Sequence, residues 1–350
     1  KNRKSCLSQA LWNRHTFRVS WYHWHRMVSL LPLLSIFSPS VCVNEYPEGH
    51  FDLVTLKTSQ TGVLAERTFL LFIPAGVPVG VEVPLLVDFH GYSSNPHYVN
   101  LLENATIYAD KFKWIVALPY GTAAKDSPTC CPPGTPIEDC QGGQVLDKAN
   151  PCCFNAGSCC GTCGTRATDD VEFTELIVKH LIEKACVNPK NVFATGFSNG
   201  GMMTNRVGCE LSHLFKGIAP HAGNIKIPSC KPDTPTSWVS FCGSDDSACN
   251  KDFDATFDAW GELNGCEGEP EPTFQSATTN CTAWSKCKPR DGSAGSPATF
   301  VEKCWLAGLP HCWSGHERPS PTAGEGRCEQ PPTNVDATEY LFDRFSTMLE

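Results

Sequence analysis

Asn191-Val-Phe-Ala-Thr-Gly-Phe-Ser-Asn-Gly-Gly-Met-Met203 is the stretch on which the fold of this chain turns. Val192 to Thr195 is a short apolar run and reads as a buried strand. It ends in Gly196-Phe-Ser198-Asn-Gly200, and a helix follows from Met202. A bare Gly-x-Ser-x-Gly can arise by accident in a chain rich in both residues, so its context decides. Strand, sharp turn and helix together form a turn that holds the Ser198 hydroxyl clear of the backbone. Gly196 and Gly200 carry no Cβ and let strand and helix approach closely. The new helix begins just behind Ser198, so its unpaired N–H groups and the positive end of its dipole face any anion formed there.

Working outward, buried strands alternate with helices. Phe51 to Ile73 alternates in polarity and reads as an opening antiparallel pair, and Pro84 to His90 is apolar enough for a strand buried on both faces. Tyr98 to Phe112 is expected as a helix, Trp114 to Pro119 as a strand, and Asp169 to Ala185 as an amphipathic helix with acids in its first turn. Asn188-Pro189 is expected to break the chain before the strand at 192. Downstream, strands are expected at Gly217 to Gly223, Ser237 to Cys242 and Thr299 to Leu306, and helices at Asp252 to Leu263 and Val335 to Met348. This alternation implies an α/β class with a mainly parallel sheet covered on both faces. Residues 45–350 are read as one domain, interrupted at 126–165 by a segment with eight cysteines and no periodic apolar pattern. Such a segment is compatible with a compact domain if it is cross-linked, and it reads as a disulfide-stapled insertion at the rim of the site.

The chain has 21 cysteines in 350 residues, including the adjacent pairs Cys130-Cys131, Cys152-Cys153 and Cys159-Cys160. That usage points to an oxidising compartment. Cys160-Gly-Thr-Cys163 has the spacing of half a zinc site, but no second pair completes it, so disulfides are the reading and no metal or organic cofactor is implied. A short apolar core at Met27 to Phe37, behind Arg26 and ahead of small residues, reads as a signal peptide over 27–42. Residues 1–26 read as upstream or extended leader outside the fold. Cleavage after Ser40 leaves 20 cysteines, an even number; cleavage after Cys42 leaves 19. Of the formal charge of −9, residues 1–26 contribute six positive charges and no acid, which leaves −15 for the rest. An acidic body argues against nucleic acid as the partner. No later apolar run is long enough to span a bilayer. The expectation is a secreted monomer, with no membrane insertion once the signal is removed.

A serine hydroxyl needs a base to take its proton, and the base needs a carboxylate to fix its tautomer. When a strand–turn–helix carries the serine, acid and base follow it on loops after later strands. Asp245 or Asp246, after the strand at 237–242, occupies the acid position. His311, after the strand at 299–306, occupies the base position; His316 is its rival, and His221 lies too early in the chain. The loop His90-Gly91-Tyr92 after the strand at 84–90 is expected to supply the Tyr92 N–H, with that of Asn199, to an oxyanion hole. His90 shapes that loop rather than acting as a base, and His90 and Trp313 are placed beside the substrate.

Residues 50–320 resemble the secreted esterases of the polyhydroxybutyrate depolymerase and feruloyl esterase group, relatives of the family 1 carbohydrate esterases. The resemblance lies in Gly196-Phe-Ser198-Asn-Gly-Gly-Met-Met203, Asp169-Asp-Val-Glu-Phe173, Asn264-Gly-Cys266 after Trp260, and His311-x-Trp313-x-Gly315. It implies an α/β-hydrolase fold and an ester substrate on a polysaccharide or polyester. It also selects Asp246, three residues after Gly243, as the acid and His311 as the base. Cys242 stands where the group has His, Ser314 where it has Pro, and Ser247-Ala-Cys249 where apolar residues and Pro are usual. Tannase-like members carry a Cys beside both Ser and His; this chain has Cys312 but Phe197.

Overall fold

A computed structural model describes residues 42–123, 152–165, 167–293, 297–315 and 335–350. The leader and most of the signal segment, positions 126–151 of the insertion, and His316 lie outside the described residues. Ten strands form one sheet: β1 (Phe51–Lys57), β2 (Glu66–Phe72), β3 (Val83–Phe89), β4 (Ile115–Pro119), β5 (Val187–Phe197), β6 (Gly217–His221), β7 (Ser237–Gly243), β8 (Glu271–Gln275), β9 (Thr279–Trp284) and β10 (Val301–Leu306). Their order across the sheet is β1-β2-β4-β3-β5-β6-β7-β10-β9-β8. The central strands from β4 to β10 pair in parallel, and antiparallel strands close both edges. Every residue of β3, β4, β6 and β7 is buried, which is why these segments read as unbroken apolar runs.

The helices are α1 (Pro96–Glu103), α2 (Ala105–Phe112), α3 (Asp170–Lys184), α4 (Asn199–Glu210), α5 (Phe253–Leu263) and α6 (Ala337–Ser346). They cover both faces. On β6, a Cβ added at Gly217 would meet Phe345 of α6, while the next side chain, Ile218, reaches Gly208 of α4. Adjacent strand residues point to opposite faces, so α4 and α6 lie on opposite sides of the sheet.

Three local readings change. The helix expected at 98–112 is two helices, because Asn104 adopts left-handed backbone (φ 54°), a conformation Asn tolerates. β5 starts at Val187 rather than after Asn188-Pro189, and the register against β3 shifts between Val83 and Leu85 to absorb the extra residues. The hairpin of β8 and β9 is new; β8 is exposed throughout and offers no alternating pattern to read. Its partner strand is tied to the sheet by Cys281–Cys304, which stand opposite each other on β9 and β10.

Asp169 caps α3 by accepting from Glu172 N–H at 2.8 Å. Asp170 forms a buried ion pair with Arg67 at 2.8 Å, and the Arg67 guanidinium lies 4.5 Å from the Phe173 ring centroid. The acids at 169 and 170 and the aromatic at 173 therefore serve architecture. Further bridges join Cys42–Cys186, Cys153–Cys163, Cys209–Cys230, Cys242–Cys249 and Cys266–Cys287, and Cys152 and Cys312 are also disulfide-bonded. Cys163 is thus engaged in a bridge rather than in a zinc site. No described helix is long and apolar enough to cross a membrane.

Candidate active site

β5 delivers Ser198 into a turn whose backbone is strained, with φ at 56° and ψ at −115°. Positive φ is costly for a residue with a side chain, and here the surroundings enforce it. Ser198 N–H donates to the His221 carbonyl at 2.9 Å, and its own carbonyl accepts from Met202 N–H at 2.9 Å. A Cβ on Gly196 would sit 2.6 Å from the Phe89 carbonyl oxygen, and one on Gly200 only 1.9 Å from it. The close approach of β3, turn and α4 therefore requires both glycines.

Two later loops converge on this hydroxyl. His311, after β10, places Nε2 2.8 Å from Ser198 Oγ and Nδ1 2.8 Å from Asp246 Oδ2. A carboxylate only accepts, so Nδ1 carries the proton and Nε2 is left to receive that of Ser198. Asp246, after β7, is 1% exposed, and its other oxygen accepts from Ala248 N–H at 2.8 Å. Asp245 points to solvent and accepts from Ser244. Cys242–Cys249 closes the loop around Asp246. This bridge accounts for both sequence departures at the acid: the Cys in place of His and the altered residues after the Asp.

Behind His311 stands His221, which the sequence reading set aside. It is fully buried, and its Nε2–H donates to the Cys312 carbonyl at 3.0 Å, one residue beyond His311. Its ring stacks on Trp313 at 4.4 Å and on Phe241 at 5.5 Å. Burial pulls its pKa down to about 3, against smaller opposing influences of Asp246 and the Cys312 bond, so it is neutral at ordinary pH. Phe197 packs on His311 at 4.8 Å between ring centroids and on His221 at 5.7 Å.

The opposite wall is built from His90, Tyr92, Asn199 and the end of the insertion. His90 is buried; its Nδ1–H donates to the Gly91 carbonyl at 2.7 Å and its Nε2 accepts from Gly121 N–H at 3.0 Å. Burial lowers its pKa to about 4, consistent with a neutral ring that joins the loop after β3 to the end of β4. A Cβ on Gly91 would lie 3.6 Å from the Ser198 Cβ, so this loop abuts the serine. Among the described residues the main-chain N–H groups of Tyr92 and Asn199 have no hydrogen-bond acceptor. The Asn199 side chain is clamped by Phe154, accepting from its N–H at 2.8 Å and donating to its carbonyl at 3.1 Å. Phe154 in turn packs edge-on against Phe89 and at a tilt against His90. Positions 152–165 of the insertion are thus woven against the residue after Ser198, a contact the sequence pattern gave no means to see.

Two expectations fail. Trp313 and His90 are fully buried, so neither presents surface to a substrate. Trp313 instead donates from Nε1 to Thr338 Oγ1 at 2.9 Å, and Thr338 donates to the Glu103 carbonyl at 2.7 Å. Asn264 is likewise structural, accepting from Thr236 N–H and donating to the Thr236 carbonyl. The sequence reading also passed over Asp88 and Glu103, two fully buried acids that interact with each other. Burial raises Asp88 to about 7 and Glu103 well above the usual glutamate range.

An acetyl xylan esterase from Aspergillus awamori superposes with a TM-score of 0.52 at 13% identity, covering 75% of this chain and 94% of that one. The profile of the prolyl oligopeptidase family matches residues 163–260, which include Ser198 and Asp246. The fold is that of the α/β-hydrolases. Within that fold the sequence is similar to feruloyl esterases. Feruloyl esterase B of Piromyces equi is 31% identical over 156 residues, 39% of this chain and 28% of that protein. Feruloyl esterase C of Emericella nidulans is 27% identical over 138 residues, 39% of this chain and 45% of that protein. The match thus spans less than half the length of either relative.

Proposed function

We propose that this α/β-hydrolase is a secreted serine esterase that hydrolyses feruloyl or acetyl esters of wall polysaccharides. The observation that carries the reading is the hydrogen-bonded line from Ser198 through His311 to Asp246, set beside two main-chain N–H groups without acceptors. Ser198 Oγ attacks the ester carbonyl as His311 Nε2 takes its proton. Asp246 holds the imidazole in the required tautomer and stabilises its positive charge. The N–H groups of Tyr92 and Asn199 hold the oxyanion, and His311 returns the proton to the departing alcohol. Water activated by the same histidine then releases the acid and regenerates Ser198. The bridges of the described residues support an extracellular setting. The names of the relatives support the ester class, and their feruloyl and acetyl xylan specificities motivate the choice of polymer.

A second reading, peptide-bond cleavage, is favoured by the profile match at 163–260. One panel separates these: the mature protein and its Ser198→Ala variant on methyl ferulate, acetylated xylan, a polyhydroxybutyrate film and a proline-containing peptide amide. Ser198-dependent release from ferulate or xylan is expected. Clearing of the film alone would move the protein to the polyester depolymerases, cleavage of the amide alone would make it a peptidase, and silence on all four would sink the enzymatic reading.

A further inference from the structure

Cys159 and Cys160 are the two cysteines among the described residues that form no disulfide, and both are half-buried. They lie inside the loop closed by Cys153–Cys163, so the chain around them is already held. One hydrogen of the Asn199 amide is committed to the Phe154 carbonyl; Nδ2 also lies 3.4 Å from Cys159 Sγ and 3.4 Å from Cys160 Sγ. With only two N–H bonds available, the second is shared between the sulfurs, which therefore stand side by side on the same face of the loop. Cys160 holds positive φ (61°), an uncommon conformation for a residue with a side chain. The neighbouring Cys160 thiol lowers the pKa of Cys159, against the opposing effect of burial, with smaller help from the Asn199 N–H and from Lys226.

We propose that Cys159–Cys160 is a thiol-modification site whose co-reactant is a low-molecular-weight disulfide, and that its redox state resets the support of Asn199. The Cys159 thiolate attacks one sulfur of the small disulfide, breaking its S–S bond and expelling one thiol. Cys160 loses its proton and attacks Cys159 Sγ, expelling the second. The protein thus gives up two protons and two electrons, and the small disulfide leaves as two thiols. Adjacent residues hold their Cα atoms about 3.8 Å apart, closer than the usual span for a bridge, so the closed pair is strained and readily reduced. The neighbouring Cys153–Cys163 bridge spans 6.0 Å between Cα atoms and is buried, and resists the same reductant. Closure draws the sulfurs together and so displaces the weak acceptors that Asn199 Nδ2 meets beyond Phe154. This regulatory consequence rests on the esterase reading, because it assigns Asn199 to the oxyanion wall; the modification itself does not.

The test equilibrates the native protein in buffers of graded reduced-to-oxidised glutathione ratio, alkylates it, and maps the peptide holding both cysteines by mass. We expect both thiols to be alkylated at the reducing end. At the oxidising end they become unreactive together, the peptide is two hydrogens lighter, and ester turnover differs several-fold between the two states. The Cys159→Ser/Cys160→Ser variant should show no redox dependence of turnover. Thiols that stay alkylatable at every ratio, or that appear in a bridge to another cysteine, would overturn the site. Equal turnover in both states, or a redox dependence that persists in the double variant, would overturn the coupling to Asn199. A protein inactive on every ester would fail the esterase reading alone, since the mass map decides the cysteines without it.

Discussion

The two sides of the site are built by different means. The acid–base side is closed covalently and backed by buried rings: Cys242–Cys249 brackets Asp246, and His221 and Trp313 back the His311 loop. On the oxyanion side the Cys153–Cys163 bridge lies within the insertion, and the wall itself is joined by hydrogen bonds: His90 to Gly91 and Gly121, Phe154 to the Asn199 side chain, and Asn199 to two free thiols. A bridge constrains mainly the unfolded chain, whereas a hydrogen bond can be remade in another arrangement at a net change of about 1 kcal/mol. On the proposed esterase reading, the bridged side is where the proton would move and the hydrogen-bonded side is the wall that would meet the substrate carbonyl.

The comparison can be broken at several points. The largest effect is expected at the acid: Asp246→Asn leaves the geometry but favours the wrong imidazole tautomer, and kcat should fall about 10⁴-fold. Asp245→Asn, one residue away and exposed, should leave kcat essentially unchanged; equal losses in steady-state assays would remove the distinction between them. Next comes the other wall. Asn199→Ala keeps the main-chain N–H but deletes the Phe154 clamp, and kcat should fall roughly 10- to 10²-fold, short of what outright loss of an oxyanion donor costs. KM should change far less; a loss confined to KM would place Asn199 in ground-state binding instead.

The Cys242→Ser/Cys249→Ser variant should lose about 2–3 kcal/mol of stability by denaturant titration, from the unfolded-chain entropy of so short a loop. An unchanged midpoint would show that the packing around Asp246 holds the loop without the bridge.

The last effect concerns pH and leaves turnover aside. Asp88 and Glu103 have raised folded-state pKa values, so the stability they confer as neutral acids is complete below about pH 4 and is lost as pH rises toward 7 and beyond. His90 and His221 are depressed, so their contribution is present above pH 6.5 and is lost as pH falls toward 4 and 3. The two trends oppose each other between pH 4 and 6.5 and leave a net fall on either side. Asp88→Asn/Glu103→Gln should flatten the alkaline limb, by up to about 1.4 kcal/mol per pH unit for each proton removed. A melting temperature that declines from pH 6.5 upward as in the parent would assign that limb to other groups.

The sequence was most legible where a single physical demand shaped it. The buried parallel strands had to be apolar throughout, so 84–90, 114–119 and 237–242 announced themselves. The Ser198 turn needed glycines that no other residue could replace. The order serine, acid, base was expected of loops after successive strands, but Asp246 was set apart from Asp245, and His311 from His316, only by the resemblance. Where long-range contacts set the outcome, the pattern fell silent. His221 reads as one more histidine on a strand, and its role becomes visible only when Cys312, 91 residues later, arrives at its Nε2. Trp313 was placed beside the substrate, but an aromatic next to His311 serves equally well as core; Thr338 and His221 took it inward. The exposed strand β8 carries no alternation, since neither of its faces is buried.

The most direct test of the central claim is covalent. The native protein would be incubated with a fluorophosphonate and the adduct located by peptide mass mapping, beside Ser198→Ala and His311→Ala variants. The account predicts a single phosphonylated residue, Ser198, no adduct in Ser198→Ala, and labelling slowed by several orders of magnitude in His311→Ala. An adduct on a different serine, or labelling of Ser198 at the parent rate without His311, would contradict it.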